Sequence, residues 1–334
     1  MNGATAQAEI FSIIKSKLPL NISMADEIAS VLDVSTDSAY RRMRGEKALS
    51  LDETAKLCSR YQLSLDQLLN LQPNTFSFTG NFVKADSFCF DEYLSNIVQQ
   101  VKYMNAFAER QMFYLAKDIP LFHHFQFREI AAFKYYFWMR NILHHPDFAN
   151  KKFSVADYPD EYFELGKKAL HYYNQLHTVE IWNIESINST IRQIEFYHDS
   201  NFFSSKKEIY LVYEALEKLV DHLELQATEG FKFDVDGDVQ KIQGIYQMYF
   251  NEIVILENSM LALLNGTKAA FLVHNVINVL ITRDVAFCDN MYGYIQNLIK
   301  KSTLISAVSE KERNRFFKYL RQKIESRKQN LHKT

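Results

Sequence analysis

Eight side chains between positions 36 and 47 offer the most assignable chemistry: Thr36, Asp37, Ser38, Tyr40, Arg41, Arg42, Arg44 and Lys47. Guanidinium and ammonium groups neutralise phosphates. An arginine fork, a hydroxyl or a carboxylate can also bond to a base edge. On a helix over Thr36 to Arg44 with Ala39 and Met43 buried, a turn of about 100° per residue directs Asp37, Ser38, Arg41 and Arg44 outward. Tyr40 and Arg42 fall on the flanks, and Thr36 lies at the exposed helix N-terminus. A face of this composition suits base edges and phosphates.

Local signals define the elements that must hold this face. Ser23 followed by Asp26 opens a helix, and Ile28 and Leu32 give it one buried stripe beside the small Ala25 and Ala29. Asp33-Val34-Ser35 interrupts the periodicity, and Ser35 caps the next short helix. Gly45 is placed to end that helix in a left-handed cap. Ser50-Leu51-Asp52-Glu53 is a capping box opening a helix through about Tyr61, and Ser64-Leu65-Asp66-Gln67 opens a last short one. Upstream, Ile10, Ile14 and Leu18 mark a first helix that Pro19 ends. Two short helices with small residues at a tight turn can cross closely at a wide angle, which places the second in a DNA major groove.

In these residues the chain resembles the Cro-type (XRE) helix-turn-helix domain of transcriptional regulators. The resemblance rests on Ile28-Ala29, Leu32-x-Val34-Ser35 at the turn, Arg41, Gly45-Glu46-Lys47 followed by Leu51, and Ser64 to Leu69 as the closing helix. It covers roughly the first 65 residues and implies a five-helix reader domain. It also implies that Thr36, Asp37, Tyr40 and Arg41 face bases, with Arg42, Arg44 and Lys47 on the backbone. Two positions depart from the family: Asp33 replaces the turn glycine, and Ala39 replaces a branched residue. Asp visits the left-handed region more readily than most residues.

Charge limits where nucleic acid could be met. Residues 1–75 carry net −1, 300–334 carry +8, and the middle carries −9. The acidic middle would repel a duplex, so the two ends are where contact could occur, although the C-terminal basic helix reads first as a docked helix with a solvated basic face. The near-neutral first segment keeps an alternative open, a protein-interaction scaffold built on the same fold. The Arg41, Arg42, Arg44, Lys47 cluster supplies the local positive charge that DNA contact needs.

Beyond a boundary expected at Leu71 to Thr75, the sequence reads as a large helical domain over 73–334, following a reader over 1–72. Only 9 Gly and 5 Pro favour long helices. Leu94 to Phe107 begins one amphipathic helix ending near Ile119-Pro120, and 160–177, 179–198 and 205–226 give three more. Phe76, Phe78 and Phe82 are expected to clamp the linker onto the second domain. Asn265-Gly266 signals a hairpin within a small antiparallel meander, about 248–282, and a basic helix spans 309–330 behind a Ser309 capping box. The fold class is therefore mainly α with a small antiparallel β element.

Phe125, Phe127, Phe133, Tyr135, Tyr136, Phe137 and Trp138 crowd one segment, where large rings either fill a core or frame a pocket for a small-molecule or peptide effector. Asp234, Asp236 and Asp238 lack the remaining EF-hand ligands, so no metal is expected. No phosphate-cradling, dinucleotide or nucleophile-elbow motif occurs, and no cofactor or enzymatic activity is expected. Cys58, Cys89 and Cys288 are scattered, the N-terminus lacks signal-peptide character, and the most apolar run, Ala269 to Ile281, contains His274, Asn275 and Asn278. These features fit a cytoplasmic, homodimeric regulator of double-stranded DNA with no membrane contact.

Overall fold

Serine side chains open three helices of the N-terminal segment in the computed structural model. It describes residues 3–18, 22–61, 63, 65, 75–80, 82–83, 88–237, 244–253 and 257–331. The chain divides into two units, Met1–Ser77 and Phe78–Thr334. In the first, α1 spans Gly3–Lys17, α2 Met24–Leu32, α3 Thr36–Met43 and α4 Leu51–Tyr61. Ser23 accepts from the Asp26 amide and Ser35 from the Ser38 amide. At α4 the capping box is reciprocal: the Glu53 amide donates to Ser50 Oγ at 3.2 Å, and the Ser50 amide to Glu53 Oε2 at 3.1 Å. Ile10, Phe11, Ile14, Ile28, Ala29, Leu32, Ala39 and Leu57 form its core. The expected fifth helix over Ser64 to Leu69, and the expected boundary at Leu71 to Thr75, lie largely outside the described residues.

The second unit corrects the expected fold class. It is built on a seven-stranded mixed sheet of order β6-β5-β4-β1-β2-β3-β7. The strands are β1 Arg110–Ala116, β2 His177–Trp182, β3 Tyr246–Phe250, β4 Ser259–Leu264, β5 Thr267–His274, β6 Asn278–Thr282 and β7 Thr303–Leu304. β1, β2 and β3 pair in parallel, which no small antiparallel element can contain. Asn265-Gly266 does turn β4 into β5, both residues at positive φ, but this meander is one flank of the larger sheet. β1 and β2 were hidden because nearly every residue in them is buried. Strands covered on both faces lose the alternation that marks a half-exposed strand. The helix expected to reach Ile119 therefore stops at Asn105, and the one expected from Val179 begins at Asn188.

Around the sheet lie α5 Phe90–Asn105, α6 Arg128–Phe137, α7 Asp160–Asn174, α8 Asn188–Asp199, α9 Lys206–Glu229, α10 Val285–Lys300 and α11 Glu310–Asn330. One sheet face packs Phe113, Leu115, Val179 and Ile181 against Cys288, Met291 and Ile295 of α10. The opposite face carries the main core, and its rings pack on one another. Phe133 stacks on Phe203 at 5.9 Å and meets Phe153 and Tyr197 edge-on, so these side chains fill space rather than frame it. At the sheet edge Thr79 exchanges backbone bonds with Ile281, Phe78 packs on Phe287 and Phe82 on His274.

The basic C-terminal helix is docked. Phe316, Phe317, Leu320 and Ile324 are buried, and its cations meet the acidic middle of the chain. Arg321 pairs with Asp221 at 2.8 Å and with Glu224, Lys323 with Glu185 at 2.8 Å, Arg327 with Glu195 at 3.2 Å and Lys328 with Glu217 at 2.8 Å. The opposite charges of the two segments thus largely answer each other. The Ser309 capping box does not form: Ser309 sits at φ 56° with no side-chain cap bond.

Burial also sets an acid limit on this unit. Burial lowers the His222 pKa to about 4, only partly offset by its bond to the Phe233 carbonyl, and it lowers His124 well below the usual range. Both rings are neutral in the fold, whereas the unfolded chain binds protons below about pH 6.5. Stability is therefore lost as pH falls from about 6.5 towards 4, and His222 alone accounts for ~2 kcal/mol between pH 7 and pH 5. Denaturant midpoints read by tryptophan fluorescence at the two pH values should show that drop, flattened in His222→Gln. An unchanged wild-type midpoint would mean these rings are not held neutral.

Candidate nucleic-acid interface

Helix α3 is locked in place from behind by a turn, a close helix packing and a buried arginine. Asp33 adopts the left-handed conformation at φ 56° and closes α2, so Val34 can bond back to Ala29 and Ser35 can start α3. Ala25, Ala29 and Ala39 are buried at this junction, where small side chains allow close approach. Arg42, expected at the flank as a backbone contact, is instead 2% exposed. Its guanidinium bonds both Glu53 oxygens, the Ser38 carbonyl at 3.0 Å and Ser38 Oγ at 2.6 Å. The correction follows from position. Arg42 lies one helical step from Ala39 on the inner side, and the Glu53 carboxylate is already held there by the α4 cap. The Arg42 hydrogen bond outweighs the burial of Glu53 and lowers its pKa below the ordinary carboxylate value.

A second clamp gave no local signal in the sequence. Gln7 of α1 donates through Nε2 to the Arg42 carbonyl at 2.7 Å and the Lys47 carbonyl at 2.8 Å. Its Oε1 accepts from the Leu49 amide at 2.9 Å. One buried amide thus fixes the loop after α3. Its partners are 35 to 42 residues away, beyond the reach of any helix periodicity.

The outward face is the exposed remainder. Asp37, Tyr40, Arg41, Arg44 and Lys47 are exposed, with Tyr40 at 48%. Thr36 is also exposed, but its hydroxyl donates to Asp26 at 3.2 Å, which ties the start of α3 to α2. Ser38 is half-buried, with its hydroxyl engaged by Arg42. Three cations, Arg41, Arg44 and Lys47, are therefore left exposed, while Arg42 and Ser38 support α3 from behind. Met43, expected in the core, is half-buried against it.

With that geometry in place, one comparison bears on the chain. Residues 20–80 match the BetR domain. It is a family of helix-turn-helix-like DNA-binding domains, and the matched segment includes α2, α3 and α4 with the whole outward face of α3. No curated protein and no solved structure matches the chain.

The described part of the acidic turn is engaged by neighbouring side chains. Asp234 accepts from Asn174 at 2.8 Å and Asp236 lies 3.9 Å from Lys167, while Asp238 lies outside the described residues. Among the described residues no group of three or more His, Cys, Asp or Glu side chains converges as a metal set would. No described helix is long and apolar enough to cross a membrane.

Proposed function

We propose that the chain is a cytoplasmic transcriptional regulator that reads double-stranded DNA with α3 in the manner of a Cro-type domain. The observation that carries this is the exposed Asp37, Tyr40, Arg41, Arg44, Lys47 face on the second helix of a closely packed helix pair, within the segment that matches the BetR domain. Arg41 serves as the base-reading fork, and Arg44 and Lys47 serve as phosphate contacts. A lone reader of this size offers few contacts, so two chains associate, mainly through residues 76–334, and place two copies of α3 on two half-sites. The rings of the second unit are committed to one another, which supports a body that positions the readers over one that encloses an effector. No catalytic step is assigned.

The test is a titration of a duplex enriched from a random pool against a random duplex, with wild type and Arg41→Ala. Arg41→Ala is expected to weaken the enriched duplex by about 1–3 kcal/mol and the random one little, at two chains per enriched duplex. Equal losses on both would make Arg41 a phosphate contact. Failure of wild type to bind either duplex would leave the scaffold reading, which the net −1 charge of residues 1–75 favours.

A further inference from the structure

The loop after α3 puts a carboxylate among the very cations that would meet DNA. Gly45 at φ 77° permits a Schellman cap: its amide bonds the Arg42 carbonyl at 3.0 Å, and the Glu46 amide bonds the Arg41 carbonyl at 2.9 Å. A residue with Cβ is strained at that φ, so the turn depends on glycine. The Glu46 backbone is thereby fixed over the end of α3, and Gln7 holds the next residue by the Lys47 carbonyl. From this position Glu46 Oε1 lies 3.1 Å from Arg44 Nε, and Oε2 lies 3.8 Å from Arg41 Nε. All three side chains are about half exposed, Glu46 at 47%, Arg41 at 54% and Arg44 at 60%. These pairs lend the fold little stability, because exposed ion pairs are worth little in water. Their effect falls on the outward face.

We propose that Glu46 is a guard on the outward face of α3: it occupies Arg41 and Arg44 in the free protein, and a duplex must displace it to engage them. The inference rests on the DNA-reading assignment above. On a random duplex, phosphate alone competes with Glu46, and the carboxylate itself is repelled by the polyanion. On the right sequence, a bidentate bond from Arg41 to a guanine edge adds a term that Glu46 cannot match. The guard therefore weakens every complex that engages these arginines, by the cost of breaking its pairs and by its own repulsion from the phosphates.

The experiment compares wild type, Glu46→Gln and Glu46→Asp on a random duplex and on one enriched from a random pool, at two salt concentrations. Thermal melting verifies that each variant is folded. Glu46→Gln is expected to bind the random duplex about three- to tenfold tighter at about 50 mM salt, with the gain shrinking at about 200 mM. The enriched duplex gains at least as much, because its complex must break both pairs. Glu46→Asp keeps the charge and stays within about twofold of wild type. Unchanged or weaker binding of the random duplex by folded Glu46→Gln overturns the guard while leaving DNA reading intact. The same holds if Glu46→Asp behaves like Glu46→Gln, since shape and not charge would then be at work. Wild type binding neither duplex removes the DNA-reading assignment, and the guard with it.

Discussion

Glu180→Ala is expected to destabilise the C-terminal unit by more than ~4 kcal/mol and to prevent its folding in dilute buffer. Glu180 is fully buried in the middle of β2, and four donors converge on it. His123 Nε2 lies 2.9 Å from Oε1, Trp182 Nε1 donates at 2.7 Å, the Tyr246 hydroxyl donates at 2.9 Å, and the Tyr173 hydroxyl completes the set. Burial alone would raise its pKa. The His123 ring beside it and the bonds from His123, Tyr173 and Trp182 outweigh burial and hold the pKa at about 2. Removing the carboxylate leaves those donors in a dry core, each costing about 1–3 kcal/mol. It also removes from Lys232, whose pKa burial lowers well below the lysine range, the opposing effect of the Glu180 charge. A variant that fails to fold says little, so Glu180→Gln is the sharper measurement. It keeps the shape but turns one acceptor into a donor, and should lower the unfolding free energy by about 2–3 kcal/mol, read as a shift in the denaturation midpoint. Trp138 and Trp182 are the chain's two tryptophans, both in this unit, so fluorescence reports on it alone. A Glu180→Gln midpoint equal to wild type would show that the network does not hold the sheet.

Arg42→Ala should remove about 3 kcal/mol from the N-terminal unit, enough to unfold most of so small a unit. Deleting the guanidinium frees the Ser38 hydroxyl and leaves Glu53, 18% exposed, with only the Ser50 amide. The helix that carries Arg41 and Arg44 then loses its anchor to α4. Affinity should fall for random and enriched duplexes alike, in contrast to the selective loss in Arg41→Ala. Because the tryptophans lie in the other unit, its fluorescence transition should not move. A double-mutant cycle with Glu53→Ala isolates the pair: strong coupling in stability supports the lock. A folded Arg42→Ala unit with weakened DNA binding would return Arg42 to the contact surface.

The sequence was most legible where the physics is local. Ser23, Ser35 and the Ser50–Glu53 box act across three residues, and all three caps form. The exposure of Arg41, Arg44 and Lys47 follows from helical geometry once Ala39 is buried. Arg42 and Gln7 were not legible as inner supports, because their partners lie 11 and 35 to 42 residues away. The second unit failed to show itself for a related reason. β1 is an apolar run and β2 buries Thr178 and Glu180 as well as its apolar residues, so neither shows the exposed polar face of a half-buried strand, and only pairing with distant strands reveals them. The sequence showed that the last helix is basic but not which acids pair with it, because those lie on α8, on α9 and just before α8.

The central place of β1 has a consequence in time. Arg110 pairs with Leu264, and Gln111 with His177, so the middle of the sheet cannot close until chain far downstream has left the ribosome. The α-helices of the first unit draw most of their bonds from near neighbours and can form within microseconds of emerging. During synthesis the reader is therefore finished long before the body, and the apolar β1 must wait unpaired. Cells short of chaperone capacity should accumulate chains with a competent first unit and an aggregated second one.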